Sequence, residues 1–146
     1  MENIKVLEFK KLDKRAIIPV RGSEEAAGLD LCALGNYPVY KGCVSIIHTG
    51  LAVSIPKGYY GAVCSRSGNV YNFGLIVANQ PGIIDSDYRG EIKVLVSCIN
   101  DKGAEVVQGQ RIAQLIIQPY SNINSVEVNE LDGTERGSGG FGSTGQ

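Results

Sequence analysis

The chain has 146 residues, with 14 Lys and Arg, 15 Asp and Glu and a formal net charge of −1, which suits one domain with its own apolar core. A hydrophobic fraction of 43% excludes a wholly disordered chain, and the balanced charge disfavours a dedicated nucleic-acid-binding protein. No apolar run approaches the roughly 18 residues of a membrane span, and the start, MENIK, lacks the apolar stretch of a secretory signal. We therefore expect neither nucleic acid nor membrane as a partner.

Short apolar runs of strand length follow one another along the chain. In one of them, Ile92, Val94, Val96 and Cys98 alternate with Lys93 and other residues of the opposite face. The remaining runs are residues 4–9, 28–34, 43–48, 51–55, 59–65, 112–118 and 126–128. Gly-rich turn signals separate them, and the best helix candidate is the short stretch 68–72. This pattern predicts an all-β, jelly-roll-like barrel with at most one short helix.

The last fifteen residues differ from the rest of the chain in composition. Six of residues 132–146 are Gly, and Phe141 is the only large apolar side chain among them. Such a segment buries too little surface to offset its ordering entropy. We predict a β-barrel core over residues 1–131 and a flexible tail over 132–146. The tail is either a frayed terminus or, as Arg136 and Phe141 indicate, a segment that orders on a ligand with an anionic group and an aromatic face.

The four cysteines, Cys32, Cys43, Cys64 and Cys98, are widely spaced and include no C-x-x-C pair. The only histidine is His48, so the spacing disfavours a zinc site. Two disulfides or four buried free thiols remain as alternatives, and free thiols are typical of a reducing, intracellular compartment. We interpret His48 as structural because it lies in an apolar run.

Three polar clusters interrupt the apolar runs. Residues 66–68 (RSG) follow a strand-like run. Their arginine, hydroxyl and free backbone N–H groups could bind an anion; the alternative is an ordinary polar loop. Residues 82–88 predict a β-hairpin that places Asp85 beside Tyr88, either as a base that deprotonates water or as a solvated turn. Gln114 interrupts the last long run and either faces a site or points outward.

Five segments, taken in order, resemble the five motifs of the trimeric deoxyuridine triphosphatases (dUTPases). The segments are 27–31 (AGLDL), 66–68 (RSG), 82–90 (GIIDSDYRG), 109–115 (GQRIAQL) and 136–145 (RGSGGFGSTG). The resemblance implies a jelly-roll-like fold and a homotrimer whose active sites are shared between subunits. It also implies hydrolysis of dUTP to dUMP and pyrophosphate, which keeps uracil out of DNA and supplies dUMP for dTMP synthesis.

The resemblance implies a role for each matching residue. Asp85 matches the general base that activates the water attacking the α-phosphorus. The residues that match binders of the phosphate chain are Arg66, Ser67, Gly68 and Gln114. The tail residues that match groups closing on the γ-phosphate are Arg136, Gly142, Ser143 and Thr144, and Phe141 matches the ring that stacks on uracil.

The same resemblance implies how the nucleoside and the metal are recognised. Residues expected at the uracil edge are Asn79, Gly82, Ile83, Ile84 and the backbone of Lys93. Tyr88 would pack on the deoxyribose where a 2′-hydroxyl would clash. Mg²⁺ would be held mainly by the triphosphate and water. Asp30 would either assist that ion through water or form an ion pair with an arginine.

The motifs depart from the family pattern at a few positions. Leu29 stands where motif one usually has an aromatic residue. Ser65 precedes Arg66 where motif two often has proline, and Asn69-Val70 follow where the family has an apolar residue and alanine. We expect these departures to affect affinity and the local loop shape more than the reaction.

Two other functions are compatible with this kind of chain. dCTP deaminases share the fold and part of motif three, but they carry a second arginine and a catalytic glutamate where this chain has Tyr71 and Leu95. Leu95 cannot transfer a proton, which disfavours deamination. A non-catalytic regulator could lose Asp85 or the tail motif without penalty, and both are intact, which favours an enzyme.

Overall fold

The computed structural model describes residues 6–143 and 145, and these residues form strands with one short helix. The strands are β1 Glu8–Lys11, β2 Val20–Arg21, β3 Leu29–Cys32, β4 Tyr37–Val39, β5 Ser45–His48, β6 Leu51–Ser54, β7 Tyr59–Cys64, β8 Leu75–Val77, β9 Gly82–Ile84, β10 Lys93–Cys98, β11 Ala104–Val106 and β12 Arg111–Pro119. The helix α1 spans Ser67–Phe73, between β7 and β8. The predicted all-β fold with at most one short helix is confirmed.

Two sheets carry most of the core. One has five antiparallel strands in the order β2-β3-β12-β7-β9, and the other has three in the order β5-β10-β8. Leu31 and Leu115 of the first sheet and Ile47 and Val94 of the second belong to one buried apolar cluster. The inner faces of the two sheets therefore pack on each other, as in jelly-roll-type folds. Two-stranded pairs, β1-β6 and β4-β11, complete the described sheets.

The alternating sequence pattern explains which faces are buried. Ile92, Val94, Val96 and Cys98 are all buried, whereas Lys93, which lies between the first two, is exposed. Each side chain points opposite to its neighbours along an extended strand, so apolar residues at every second position line the core. No helix within residues 6–143 and 145 is long and apolar enough to span a membrane.

The predicted hairpin around Asp85 is wrong. Strand β9 pairs with β7 in the five-stranded sheet, whereas β10 pairs with β5 and β8 in the other sheet. The loop between them, residues 85–92, therefore crosses from one sheet to the other. Alternation along a strand reports which face is buried but not which strand lies beside it, so the sequence pattern did not reveal this crossover.

The predicted strand over residues 126–128 is also wrong. β12 ends at Pro119, and residues 120–131, which we name the arm, are exposed and form no strand or helix. Ile123, Val126 and Leu131 of the arm are 82%, 84% and 86% exposed. Strand β1 covers Glu8–Lys11 and so overlaps the predicted run over residues 4–9 only at the end of that run, of which residues 4 and 5 lie outside the described part of the chain. The boundary at residue 131 and the flexibility of the tail stay predictions.

All four cysteines are free thiols. Cys32 and Cys98 are buried, Cys64 is half-buried and Cys43 is exposed. The structure therefore shows the free-thiol alternative. The expectation that all four thiols are buried is wrong at Cys43, because that residue lies in the turn before β5.

Candidate active site

Arg66 lies in a network with a buried carboxylate. The chain leaves β7 at Cys64, and Arg66 immediately precedes α1 in extended conformation. Its Nε is 3.0 Å from Oδ1 of Asp30, while Nη1 of Arg111 is 3.4 Å from Oδ2 of the same carboxylate. Asp30 is only 8% exposed, and a buried charge is tolerated when it is paired in this way. The ion-pair alternative for Asp30 is therefore present, and its magnesium role stays a prediction.

Gln114 connects motifs one, two and four. It lies on β12 between Asp30 of β3 and Cys64 of β7, and its Nε2 donates to the carbonyl oxygen of Ser65 at 2.9 Å. A Cβ on Gly28 would lie 2.7 Å from Oε1 of Gln114, so only glycine leaves room for this side chain. Gln114 thus packs beside the network of Arg66, Asp30 and Arg111 instead of pointing outward to solvent.

Ser65 has a structural role of its own at the end of β7. Its N–H donates to Oε1 of Gln80 at 2.5 Å, and its Oγ accepts the N–H of Val77 at 2.9 Å. Proline has neither an N–H nor a hydroxyl and would lose both bonds. This departure from the family pattern therefore ties motif two to the end of β8 and to the loop between β8 and β9.

Asn69 is a site residue that the sequence analysis placed only among the departures. It lies in α1, is 5% exposed, and donates from Nδ2 to the carbonyl oxygen of Arg111 at 2.8 Å. Nη1 of Arg66 approaches the same oxygen at 3.4 Å. The amide therefore holds α1 on β12 beside the Asp30 network. The signal in the sequence is the polar residue where the family pattern has an apolar one.

Replacing Asn69 by Leu is expected to lower the free energy of unfolding by about 1–3 kcal/mol, because the Arg111 carbonyl loses its better partner. Asn72→Leu, on the exposed side of the same helix, is the matched control and should change it by less than about 0.5 kcal/mol. Urea unfolding followed by circular dichroism measures both. Equal stability of Asn69→Leu and the unchanged chain would show that apolar packing replaces the hydrogen bond.

Asp85 lies at the point where the chain leaves β9. Its side chain is exposed, and its carbonyl oxygen accepts the N–H of Tyr88 at 3.1 Å, which closes a turn. Arg89 reinforces the turn by donating from Nη1 to the Ser86 carbonyl at 2.6 Å. The Tyr88 hydroxyl donates to the carbonyl oxygen of Glu91 at 2.9 Å. The turn therefore presents a carboxylate and an aromatic ring on one short, internally bonded loop.

Asp85 borders two clefts. The smaller has a volume of about 200 Å³ and is lined by Ile83, Ile84, Asp85, Tyr88, Glu91, Ile92 and Lys93. The larger has a volume of about 800 Å³, shares Ile83 and Asp85 with the smaller, and is lined further by Asp87, Arg89, Tyr60 and Tyr120. The two tyrosine rings are in edge-to-face contact, with centroids 6.4 Å apart. The smaller cleft thus gathers four of the residues that the resemblance assigns to the nucleoside, namely Ile83, Ile84, Tyr88 and Lys93.

Of the other residues predicted at the uracil edge, Gly82 and Asn79 lie at the opposite end of β9 from Asp85. Gly82 is buried opposite Val63 of β7, and the Asn79 side chain packs against it, since a Cβ on Gly82 would lie 3.2 Å from Nδ2 of Asn79. Lys93 is exposed at the first position of β10. The structure therefore spreads the predicted uracil-binding residues along β9 and onto the start of β10.

Arg66 and Asp85 lie far apart within one protomer. Ile84 is opposite Gly61 in the β7–β9 ladder, so Asp85 follows at the Tyr60 end of β7. Arg66 follows Cys64 at the opposite end. Arg66 is six residue steps along extended chain from Tyr60, or roughly 20 Å at the usual rise. The chain therefore holds two separate groups of candidate site residues, which we name the Arg66 half-site (with Gln114) and the β9 half-site (with Asp85 and Tyr88).

The described tail residues are bonded among themselves. Nε of Arg136 donates to the carbonyl oxygen of Gly139 at 2.8 Å, and the N–H of Ser143 donates to the carbonyl oxygen of Gly140 at 3.0 Å. Phe141 and Gly142 are exposed. Thr144 lies outside the described residues. The structure brings none of the described tail residues to either half-site, so their predicted roles stay predictions.

The donor set fits a magnesium ion that enters with the triphosphate. Within residues 6–143 and 145, no group of three or more His, Cys, Asp or Glu side chains is placed to hold a metal. The Asp30 carboxylate is already engaged by Arg66 and Arg111. Mg²⁺ commonly keeps several waters and binds through substrate phosphates rather than in a protein cage, and these residues suit that mode.

Comparison with known proteins gives consistent results. The dUTPase family model matches residues 14–145. The deoxyuridine 5′-triphosphate nucleotidohydrolase of Nautilia profundicola is 46% identical over 140 residues, with 96% of this chain and 99% of that protein covered. The enzyme of the same name from Corynebacterium glutamicum is 42% identical, with 100% and 99% covered.

Solved structures agree with the sequence comparisons. The dUTPase of Staphylococcus bacteriophage 80alpha with dUpNHpp has a TM-score of 0.85 at 29% identity, and 97% of this chain and 99% of that chain are covered. A mutant dUTPase of phage phi11 of S. aureus, studied for a structural Mg(II) ion, has a TM-score of 0.75 at 24% identity, with 86% and 97% covered. Because the family match spans nearly the whole chain and the enzymes of N. profundicola and C. glutamicum both exceed 40% identity, this chain belongs to the dUTPase family of dUTP-hydrolysing enzymes.

Proposed function

We propose that this dUTPase converts dUTP to dUMP and pyrophosphate by water attack on the α-phosphorus, with Asp85 as the general base. The observation that carries the proposal is the exposed Asp85 carboxylate at the end of β9, where it borders a cleft of about 200 Å³ together with Tyr88 and Lys93. A positioned carboxylate orients water and accepts its proton as the O–P bond forms. The pyrophosphate then leaves from the opposite side of the phosphorus.

The Arg66 half-site supplies the groups for the phosphate chain. Arg66 is held by Asp30, and the N–H groups of Ser67 and Gly68 precede the first intrahelical donors, Asn69 and Val70. Gln114 packs beside them. A guanidinium and free N–H groups are well suited to phosphate oxygens. Mg²⁺ carried by the triphosphate would neutralise charge on the phosphates.

The β9 half-site supplies base and sugar selection. Backbone groups of Gly82, Ile83, Ile84 and Lys93 would pair with the uracil edge, with Asn79 packed beside Gly82. The cytosine amino group would then face a hydrogen-bond donor instead of an acceptor. Such an unpaired polar group lowers binding more than the loss of one methylene from a substrate does. The Tyr88 ring, half-exposed in the smaller cleft, would pack on the deoxyribose and exclude a 2′-hydroxyl.

A homotrimer with shared sites accounts for the distance between the half-sites. Arg66 and Asp85 lie at opposite ends of β7, so a complete site requires Arg66 from one subunit and Asp85 from another. The arm supports assembly because Ile123, Val126 and Leu131 are apolar side chains left exposed on one short segment, and exposed apolar surface is covered when chains associate. The tail would then close over the shared site, with Phe141 on uracil and Arg136, Gly142, Ser143 and Thr144 on the γ-phosphate.

We also propose an intracellular, reducing location, in which the enzyme keeps uracil out of DNA and provides dUMP for dTMP synthesis. All four thiols are free. Burial, followed by the nearby Asp30 carboxylate, raises the pKa of the Cys32 thiol, which keeps that cysteine in its unreactive protonated form.

The test is pyrophosphate release from dUTP with Mg²⁺, measured beside dCTP, dTTP and UTP. We expect release from dUTP at least about 10²-fold faster than from dCTP, because a site that hydrogen-bonds the uracil edge leaves cytosine mispaired. Release from UTP should be slower because its 2′-hydroxyl would meet Tyr88, and release from dTTP should be slower because the site must also accommodate its methyl group. Ammonia release from dCTP would instead indicate deamination, which Leu95 on β10 disfavours. No turnover of any nucleotide by a folded trimer would favour a non-catalytic regulator.

A further inference from the structure

Glu91 and His48 form a part-buried contact immediately after motif three. The Glu91 side chain is only 19% exposed, and both carboxylate oxygens are engaged. Oε2 lies 3.0 Å from Nδ1 of His48, and Oε1 accepts the N–H of Gly50 at 2.9 Å. A single side chain therefore fastens the end of the motif-three loop to the turn between β5 and β6.

The turn that receives Glu91 is itself fixed to the start of β10. The Thr49 hydroxyl donates to the Ile92 carbonyl at 2.6 Å, and the N–H of Ile92 donates to the Leu51 carbonyl at 2.7 Å. Thr49, Leu51 and Ile92 are all fully buried. These bonds flank Gly50, which binds the Glu91 carboxylate, and both hold Ile92, the residue that follows Glu91. The backbone of Glu91 is therefore fixed on its C-terminal side.

Tyr88 depends on that position. Its hydroxyl donates to the carbonyl oxygen of Glu91 at 2.9 Å. The ring lies back over Gly90, where a Cβ would come within 2.5 Å of the hydroxyl. Tyr88 and Glu91 line the same small cleft as Asp85. A shift of Glu91 would therefore move the hydrogen-bond acceptor that orients the Tyr88 ring.

The charges around the pair favour an ionised carboxylate. Burial acts to raise the pKa of Glu91, but the hydrogen bonds from His48 and Gly50 outweigh it, so the pKa lies below its ordinary value. Lys93 is opposite His48 across β5 and β10, and Asp13, Arg15 and Tyr37 line the neighbouring cleft. The stabilisation from Glu91 is thus present above the pKa that this carboxyl has in the unfolded chain, and it is lost as the pH falls through the lowered folded value.

We propose that Glu91, held by His48 and Gly50, is a positioning residue that fixes the Tyr88 ring and thereby sets the preference for deoxyribose over ribose. This inference rests on the proposed function, which places the sugar against Tyr88. Glu91 touches no reacting atom in it. Its effect is expected on nucleotide affinity and sugar selection, whereas proton transfer at Asp85 is unchanged.

The variants are Glu91→Ala, Glu91→Gln and His48→Ala, with Glu105→Gln of β11 as an exposed carboxylate control. For Glu91→Ala we expect the KM for dUTP to rise about tenfold and the dUTP-to-UTP ratio of kcat/KM to fall about tenfold, as the loss of charged hydrogen bonds implies. The kcat for dUTP should change less than about threefold. Glu91→Gln and His48→Ala should show smaller shifts in the same direction, and Glu105→Gln none.

A double-mutant cycle separates positioning from general stability. Tyr88→Phe removes the hydroxyl that contacts Glu91, so Glu91→Ala should have little further effect on sugar selection in that background. Equal effects of Glu91→Ala with Tyr88 or Phe at position 88 would overturn the proposal. An unchanged dUTP-to-UTP ratio in Glu91→Ala, or in Glu91→Gln and His48→Ala if the alanine variant does not fold, would overturn it too.

Calorimetric affinities for dUMP and UMP provide a readout that does not depend on turnover. If the unchanged enzyme hydrolyses no dUTP, the proposed function fails, and the affinity ratio of the two monophosphates still tests the Glu91 contact. A ratio that falls in Glu91→Ala supports the positioning role. A ratio equal to that of the unchanged chain refutes it, whatever the outcome for catalysis.

Discussion

Asp85→Asn is expected to lower kcat for dUTP by about 10³-fold, within the usual range for loss of a general base. The amide has nearly the same shape as the carboxylate but cannot accept a proton from water. Asp85 is exposed at the end of β9 and makes no ion pair in the described contacts, so the variant should fold. Binding of a non-hydrolysable dUTP analogue should change by less than about tenfold.

Single-turnover rates and calorimetric binding measure the two quantities separately. Asp101→Asn is the control, because Asp101 is an exposed carboxylate paired with Lys41 in a different loop, and its turnover should equal that of the unchanged enzyme. Turnover by Asp85→Asn within about tenfold of normal would remove Asp85 from the role of base.

The same variant tests the sharing of sites between subunits. Arg66→Ala should also be nearly inactive, because it removes the phosphate-binding guanidinium. When Asp85→Asn and Arg66→Ala chains are refolded together, mixed trimers should contain sites with both residues intact, one from each of two subunits. Recovered activity supports shared sites. A mixture as inactive as its components would show that Arg66 and Asp85 act within one subunit, despite their separation along β7.

Truncation after Asp132 is expected to lower kcat/KM for dUTP by about 10²-fold or more, because the site loses preorganised phosphate contacts and its cover against water. The lost groups include Arg136, Phe141 and Ser143. The arm remains in this variant, so light scattering should still give a particle of three 15.6-kDa chains. Circular dichroism should be unchanged, since the described residues beyond 132 form no strand or helix.

A chain ending at Gly145 is the matched control, because it lacks only Gln146 and keeps the whole of motif five. Its kinetics should equal those of the full chain. Full activity of the chain ending at Asp132 would exclude the tail from catalysis. Loss of the trimer in that variant would instead show that the tail is needed for assembly. That result would contradict our expectation that the arm provides the assembly contacts.

The sequence determined the nature of the elements and the identity of the family. Alternation in residues 92–98 predicted a strand with one buried face, and the structure places Ile92, Val94 and Val96 in the core. Five motifs in order predicted a dUTPase, which the family match over residues 14–145 confirms. Both signals are local. The face on which a side chain lies depends on its position along its own strand, and a motif consists of residues that are neighbours in the sequence.

Only the tertiary structure decided which strands and side chains meet. It pairs β9 with β7 and β10 with β5, so the loop after Asp85 crosses between sheets instead of closing a hairpin. It also joins Asn69 to the Arg111 carbonyl and Glu91 to His48, across 42 and 43 residues of chain. Contacts over such distances depend on the packing of the whole chain, and a single sequence carries no local pattern that records them.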